Sequence, residues 1–357
     1  MAEKKKILYI VEAMGGGVFT YIVDLANELV KEYDMYIAYA VRKQTPENYM
    51  EYFDKGIHLI EVKNFGRAIN LVKDFMAFCE VQKIAREVKP DVIHLHSSKA
   101  GAIGRIAFNG KIPMFYTPHG YSFLMEDCKP MKRMIYKMVE KICAKRKCTT
   151  ISCSMGEHQE TLKLTKRATY VSNGINMEEL QSIIDKTEKV AHPFTVFTLG
   201  RICYQKNPTL FNEIAERLPN VRFIWIGDGE LRENLKSPNI VITGWVERSM
   251  AIKYAVNADI FILPSRWEGL PISLLEAMYM KKICVVSDVI GNRDVIDNGK
   301  NGFVCSNADQ FVEIIHEAQN EPKEIREQAH KDILAVYNTK VMAKQYSEKY
   351  REALNCV

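Results

Sequence analysis

The sequence predicts an α/β protein built of two Rossmann-like halves. Three observations carry this expectation. Short apolar runs alternate with segments of helical periodicity from end to end, and the alternation stops and restarts once. The chain has 357 residues, enough for two cores of ordinary size. Its Ile- and Val-rich runs, separated by amphipathic segments, imply parallel sheets covered on both faces.

In the first half, residues 7–11, 35–41, 57–62, 92–95, 114–116 and 149–152 read as strands. Between the first two, Phe19, Ile22, Val23, Ala26, Leu29 and Val30 keep the spacing of one helical face. The second series is 194–199, 221–226, 240–242, 260–263 and 283–286, with helical spacing such as 210–218 between strands. The join lies near 172–193. Ser172-Asn173-Gly174-Ile175-Asn176 is turn chemistry, 178–192 is polar and helical, and Pro193 introduces a new strand. The expected domains are 1–173 and 174–339, with a helix over 340–357 packing back on the first.

Composition narrows the class. Apolar residues at 47% and charged residues at 26% exclude a disordered or fibrous chain. The Lys-rich start resembles a signal peptide only superficially, because its apolar run ends at Glu12 and no small-residue cleavage site follows. No segment approaches the ~20 apolar residues of a membrane span. Nine scattered cysteines without a C-x-x-C pair fit neither a disulfide framework nor a zinc site, so a reduced cytosol is expected. The net charge of +5 is uneven: residues 129–148 hold eight Lys and Arg against Glu140, a local +7.

Four constellations carry chemistry. Gly15, Gly16 and Gly17 join the first strand to a helix beginning near Val18. Glycine lets backbone N–H groups approach a ligand, and a helix N-terminus favours anions, so the loop reads as a phosphate or sugar contact. A tight strand-to-helix turn is the plainer alternative. The loop is no G-x-G-x-x-G, and Asp34 precedes the second strand, which disfavours NAD. Next, Thr117-Pro118-His119-Gly120 follows a strand, where open α/β sheets bind ligands. His119 is the crevice candidate, with a structural hydrogen bond as the alternative. His94 and His96 share one face of the preceding strand and are its rivals. A zinc site there lacks a carboxylate or Cys at suitable spacing.

The third constellation is Gly200-Arg201 with Lys206 five residues on, at the mouth of the second sheet. Two cations suit a diphosphate, one binding bidentately and one as a point charge, unless they are merely a solvated loop. The fourth and strongest is P-S-R-W-E-G-L-P-I-S-L-L-E-A at 264–277. It sets Glu268 before, and Glu276 within, the opening turns of one helix. Glu276 alone also fits a charge favoured near a helix start.

At these residues the chain resembles the retaining GT-B enzymes of glycosyltransferase family 4. The E-x7-E motif is Glu268 to Glu276, G-R-x4-K is Gly200-Arg201 to Lys206, the glycine loop is Gly15, Gly16 and Gly17, and the crevice histidine is His119. Secondary matches are Ser172-Asn173-Gly174-Ile175, Ile226-Gly227-Asp228-Gly229 and Gly244-Trp245-Val246. His-Ser-Ser-Lys-Ala-Gly at 96–101 resembles members that build bacterial capsule or exopolysaccharide units on a lipid carrier. Two departures concern the choice of donor: Asn176 stands where Asp is usual, and Gly291-Asn292-Arg293-Asp294 lacks a second glycine and a Glu.

The resemblance implies a sugar moved from a nucleotide diphosphate, with UDP favoured, to a lipid-linked saccharide. Arg201 and Lys206 would neutralise the leaving diphosphate beside Gly200. Glu276 would hold the ribose, and Glu268 with the backbone of Gly269 and Leu270 the sugar hydroxyls. His119 would touch the donor sugar. Gly16 and Gly17 would lie near the diphosphate and acceptor, and Val246 would offer backbone contacts to the base. With no D-x-D motif, no metal or other cofactor is expected. A glycosidase would use its paired carboxylates as acid and nucleophile; that role is rejected because Glu276 belongs to the nucleotide. A sugar-nucleotide epimerase of the same architecture and a non-catalytic partner subunit stay as alternatives.

Residues 130–147 are expected to attach the enzyme to an anionic membrane, on the inner face of the cell membrane. As a helix, the segment puts Met131, Ile135, Met138, Val139 and Ile142 on one side, expected to pack on the core. Arg133, Lys137, Lys141 and Lys145 step along the other and are expected to face lipid. Nucleic acid is disfavoured, since no aromatic ladder accompanies the charges.

Overall fold

The computed structural model describes residues 3–42, 45–66, 69–318 and 323–355. The chain separates into two compact units. One comprises the residues up to Asn173 together with those from Thr339 onward, and the other is Gly174–Asn338.

The first unit is a parallel sheet with helices between its strands. In chain order it contains β1 (Lys6–Met14), α1 (Gly16–Leu29), β2 (Asp34–Val41), β3 (His58–Glu61), α2 (Leu71–Val88), β4 (Val92–His96) and α3 (Ser98–Ala107). There follow β5 (Met114–Thr117), α4 (Pro130–Cys143), β6 (Thr149–Ser152), α5 (Met155–Leu162) and β7 (Ala168–Tyr170). The sheet order is β3-β2-β1-β4-β5-β6-β7, parallel throughout. The order therefore reverses between β1 and β4, the point where an open α/β sheet leaves a crevice at its carboxyl end. Alternate β1 side chains go to opposite cores. Ile7, Tyr9 and Val11 pack with residues of α1 and of the final helix. Leu8 and Ile10 pack with Ala77, Val81 and Ile84 of α2 and Ala100 of α3.

The second unit repeats the plan. It runs α6 (Met177–Asp185), β8 (Thr195–Leu199), α7 (Pro208–Arg217), β9 (Arg222–Ile226), β10 (Ile240–Ile242), α8 (Arg248–Val256) and β11 (Ile260–Leu263). It closes with α9 (Ile272–Tyr279), β12 (Ile283–Ser287), β13 (Phe303–Cys305), α10 (Ala308–Glu317) and α11 (Lys323–Ala335). The order β10-β9-β8-β11-β12-β13, again parallel, reverses between β8 and β11. One side of this sheet is filled around Phe211, Phe223, Trp225 and Phe311. The last helix, α12 (Thr339–Asn355), belongs to the first unit and buries Met342, Tyr346 and Tyr350 there. Residues 356 and 357 of the helix expected over 340–357 lie outside the described residues.

Some sequence expectations need correction. Strands β7 and β13 were not expected; each has three residues and too short an apolar run to read. The helix expected over 178–192 ends at Asp185. Only Leu180 of it is buried, so no apolar stripe holds a longer helix in place.

The largest correction concerns α4. Its apolar side does not pack on the core. Met131, Met134, Ile135, Met138, Val139 and Ile142 are all exposed, Met131 at 71% and Ile142 at 58%. The packed side carries Glu140 and Cys143. The cause is a buried polar anchor: Glu140 accepts hydrogen bonds from Arg105 (2.7 Å) and from Tyr116 (2.9 Å). Both partners are buried, so an ion pair that must stay together turns the helix. Arg133 is corrected too, since its Nε donates to the Phe123 carbonyl (3.1 Å) and is only partly exposed. Lys137, Lys141 and Lys145 are exposed as expected.

Candidate active site

In the first unit, candidates gather at the carboxyl ends of β1, β4 and β5. Gly15 caps α1 in extended conformation, with no side-chain cap and no acidic residue in the first turn. The first N–H groups of α1 thus have neither a capping side chain nor an acidic residue of their own turn, the arrangement that receives anions. Gly16 has φ +57, and a Cβ on Gly16 or Gly17 would meet nothing within 4 Å. Glycine is needed at Gly16 for its backbone, whereas no neighbour demands it at Gly17.

His119 also lies in the left-handed region, at φ +56, followed by Gly120 at φ +91. The turn is held from below by Glu157, which accepts from Gly120 N–H (2.7 Å) and Cys153 N–H (2.8 Å). Burial raises the Glu157 pKa, and the two backbone donors oppose that rise. His119 is partly exposed, and its Nε2 lies 3.1 Å from His96 Nδ1. Desolvation pushes the His119 pKa down to about 3.

The rival histidines fall into place beneath it. His94 is fully buried, with Nδ1 2.6 Å from the Tyr350 hydroxyl and Nε2 2.9 Å from Thr117 Oγ1. Both its nitrogens are occupied, which removes His94 as a crevice or zinc ligand. Tyr350 reaches on to Tyr9 (3.1 Å), and Tyr21 donates to Tyr346 (2.6 Å). The role of α12 in this network was invisible in the sequence, because nothing local links residue 350 to residue 94.

In the second unit, the loops after β8 and β11 flank the strand reversal. Arg201 Nε donates to Glu230 (2.9 Å), an exposed pair. Lys206 Nζ donates to Glu268 Oε1 (2.7 Å), with both groups largely buried. Gln205 adds Nε2 contacts to the Trp267 carbonyl (2.9 Å) and Glu268 Oε2 (3.3 Å). Glu276, only 2% exposed, pairs with Arg248 (2.5 Å), whose Nε also reaches Glu179 (3.2 Å). Pro271 is the N-cap of α9, so Glu276 is the fifth residue of that helix and lies past its first turn.

Close backbone packing holds these loops together. A Cβ on Gly227 would lie 2.2 Å from the Gly200 carbonyl oxygen, and one on Gly229 2.2 Å from that of Ile202. A Cβ on Gly291 would lie 2.3 Å from the Gly269 carbonyl oxygen, so the 291 turn rests on the Glu268 loop. Leu270 is buried. Gly244 pairs with Gly227 in an isolated bridge, which brings the loop carrying partly exposed Val246 to the same edge. Asn176, in place of the usual Asp, caps α6 by accepting from Glu179 N–H (3.1 Å). The sequence missed Gln205, Glu230 and Arg248. Gln205 is signalled only by adjacency to Lys206, and the other two by nothing local.

Comparison with known proteins bears on the family and the fold. The family described as Glycosyltransferase Family 4 matches residues 15–179, and Glycosyl transferases group 1 matches 193–321. The chain is 31% identical over 296 residues to the UDP-Gal:alpha-D-GlcNAc-diphosphoundecaprenol alpha-1,3-galactosyltransferase of Escherichia coli, covering 73% of this chain and 75% of that protein. It is 27% identical to the capsular polysaccharide biosynthesis glycosyltransferase CapM of Staphylococcus aureus, over 72% of this chain and 74% of that one. Among solved structures, sucrose-phosphate synthase of Thermosynechococcus elongatus superposes with TM-score 0.83 at 16% identity, covering 99% of this chain and 100% of that one. HepE of Anabaena, in complex with UDP and glucose, gives TM-score 0.81 at 17% identity, with 98% and 100% covered. The two parallel sheets are those of a GT-B glycosyltransferase. The chain belongs to glycosyltransferase family 4.

Proposed function

We propose that this glycosyltransferase moves a sugar from a UDP-sugar to a diphosphate-lipid-linked saccharide, with retention at the anomeric carbon and no divalent metal. The observation that carries the reading is Arg201 and Lys206 on one loop at the β8/β11 reversal, with Lys206 paired to buried Glu268 and Glu276 buried on the helix that follows the Glu268 loop. Charge grows on the departing diphosphate as the glycosidic bond breaks, and fixed cations lower the energy of that state. Glu268, locked by Lys206 and Gln205, is oriented to accept from sugar hydroxyls, with the Gly269 and Leu270 backbone beside it. Glu276 takes the ribose and Val246 the base. His119 takes the donor sugar. Gly16 and Gly17 open the free N-terminus of α1 to an anionic group. Support for UDP and for the lipid carrier comes from the Escherichia coli relative, whose name states both. That name also states an alpha-1,3 linkage for the sugar the relative transfers, which is the linkage that retention from an α-linked donor would give. A second relative, from Campylobacter jejuni, likewise acts on a diphospho-undecaprenol saccharide.

The test is a transfer assay on a synthetic polyprenyl-diphosphate saccharide with UDP-, GDP- and dTDP-sugars, each with and without EDTA. The reading expects transfer from one or more UDP-sugars, nearly unchanged by EDTA. Loss on chelation restored by Mg²⁺ or Mn²⁺ removes the metal-free mechanism. Conversion of the sugar nucleotide without acceptor identifies an epimerase.

The same reading places the enzyme on the cytoplasmic face of an anionic membrane through α4. Its outward surface combines six exposed apolar side chains with Lys132, Lys137 and Lys141. That pairing suits a bilayer interface, where apolar groups enter the acyl boundary and ammonium groups meet phosphates. A second apolar patch stands on α2, where Leu71, Val72, Phe75 and Met76 are exposed, Leu71 at 84%. Crossover helices run against their strands, so α2 and α4 both begin at the carboxyl end of the sheet. Both patches therefore include the crevice end of this unit. No helix among the described residues is long and apolar enough to cross a membrane.

A further inference from the structure

We propose that His96 is a positioning residue: it donates from Nδ1 to His119 Nε2 and so fixes His119 as the tautomer that presents Nδ1–H. Three observations lead there. The two nitrogens lie 3.1 Å apart, and the rings are nearly parallel, with centroids 5.4 Å apart and 22° between planes. His96 is fully buried, and its Nε2 has no hydrogen-bond partner among the described residues. The His96 ring packs against the rings of Tyr9 (centroids 4.6 Å apart) and His94 (4.1 Å).

Only two neutral arrangements are possible. In one, His119 donates and His96 must carry its proton on Nε2, which buries an N–H with no acceptor. In the other, His96 donates and its Nε2 is a bare lone pair. Orphaned buried N–H groups are rarer than under-satisfied acceptors, which favours the second arrangement. Desolvation keeps both rings uncharged, with the His96 pKa well below its ordinary value. His119 then offers an N–H to a ligand oxygen at any ordinary pH, because its tautomer fixes that N–H and protonation is not needed. His119 cannot act as a base at that nitrogen. This deepens the reading above, in which His119 meets the donor sugar, and the hydroxyl oxygens of that sugar are the acceptors it suits.

The test is long-range imidazole ¹H–¹⁵N correlation on the full-length, ¹⁵N-labelled chain, beside steady-state kinetics. The wild type is expected to show His119 protonated at Nδ1 and bare at Nε2. In His96→Leu, Nε2–H, the form free imidazole prefers, is expected to take over, and kcat to fall about tenfold, as for one lost neutral hydrogen bond. His96→Asn, whose side-chain amide can still donate, is expected to keep both the tautomer and most of the activity. Nε2–H at His119 in the wild type, or an unchanged tautomer in His96→Leu, overturns the proposal. The stated tautomers with undiminished kcat in His96→Leu would instead remove His119 from the reaction and leave the assignment standing. The wild-type measurement decides the tautomer even if His96→Leu does not fold.

Discussion

Arg201 and Lys206 sit on one loop but in different electrostatic settings. The Arg201–Glu230 pair is exposed, and such pairs contribute only about 0–1 kcal/mol. A diphosphate can therefore displace Glu230 at little cost. Lys206–Glu268 is largely buried, and removing either partner strands the other's charge. Arg201→Ala should lower kcat about 10²-fold while leaving the melting temperature nearly unchanged. Lys206→Ala should lower both. Wild-type kcat in Arg201→Ala, by steady-state kinetics, would take the diphosphate from this loop. The buried histidines set a pH dependence of stability. His94 and His96 are held uncharged in the folded chain, with pKa values well below the ordinary value near 6.5. The unfolded chain binds those protons first, so stability is fully present above about pH 6.5 and falls as pH drops below it. His119, pushed down to about 3, is a third such group, and the slope approaches about 4 kcal/mol per pH unit for the three. Urea unfolding midpoints at pH 7.5 and 5.5 check this. His96→Asn should weaken the slope, and an equal slope in that variant would show that the histidine is not its source.

At the scale of elements, α4 shows what periodicity can and cannot settle. The sequence defines a helix with an apolar side and a basic side. It does not say which side faces in, because the deciding contact is Glu140 with Arg105 and Tyr116, residues 35 and 24 positions away. With the apolar side out, the proposed attachment surface includes Met134, Met138 and Ile142 as well as Lys137 and Lys141. Each lysine near an anionic surface contributes about 1 kcal/mol, and apolar insertion adds a part that salt does not screen. Co-sedimentation with phosphatidylglycerol vesicles is expected at low salt and to persist in part at high salt. Lys137→Glu/Lys141→Glu/Lys145→Glu should lose the salt-sensitive part. Met134→Glu/Met138→Glu/Ile142→Glu should lose the remainder. No binding by the wild type at low salt, or light scattering that shows a dimer broken by the apolar variant, would assign the face to something other than lipid.

At the scale of the whole chain, most of the architecture was legible. Strands buried on both faces must be apolar, and eleven of them stand out as apolar runs. The short edge strands β7 and β13 do not, since three residues carry too little pattern. The motif residues were legible because their chemistry is local: glycines where backbones meet at 2.2–2.3 Å from a would-be Cβ, and carboxylates near a helix start. Their partners were not, because Glu230, Arg248, Tyr346 and Tyr350 reach the sites through folding alone. The central claim is retaining transfer from UDP to a lipid-linked saccharide, and the anomeric configuration of the first-formed product tests it most directly. Proton NMR of the disaccharide released from the polyprenyl diphosphate should show the small anomeric coupling of an α-linked sugar from an α-linked UDP donor. A β-linked product, or no transfer from any UDP-sugar to that acceptor, would contradict the account.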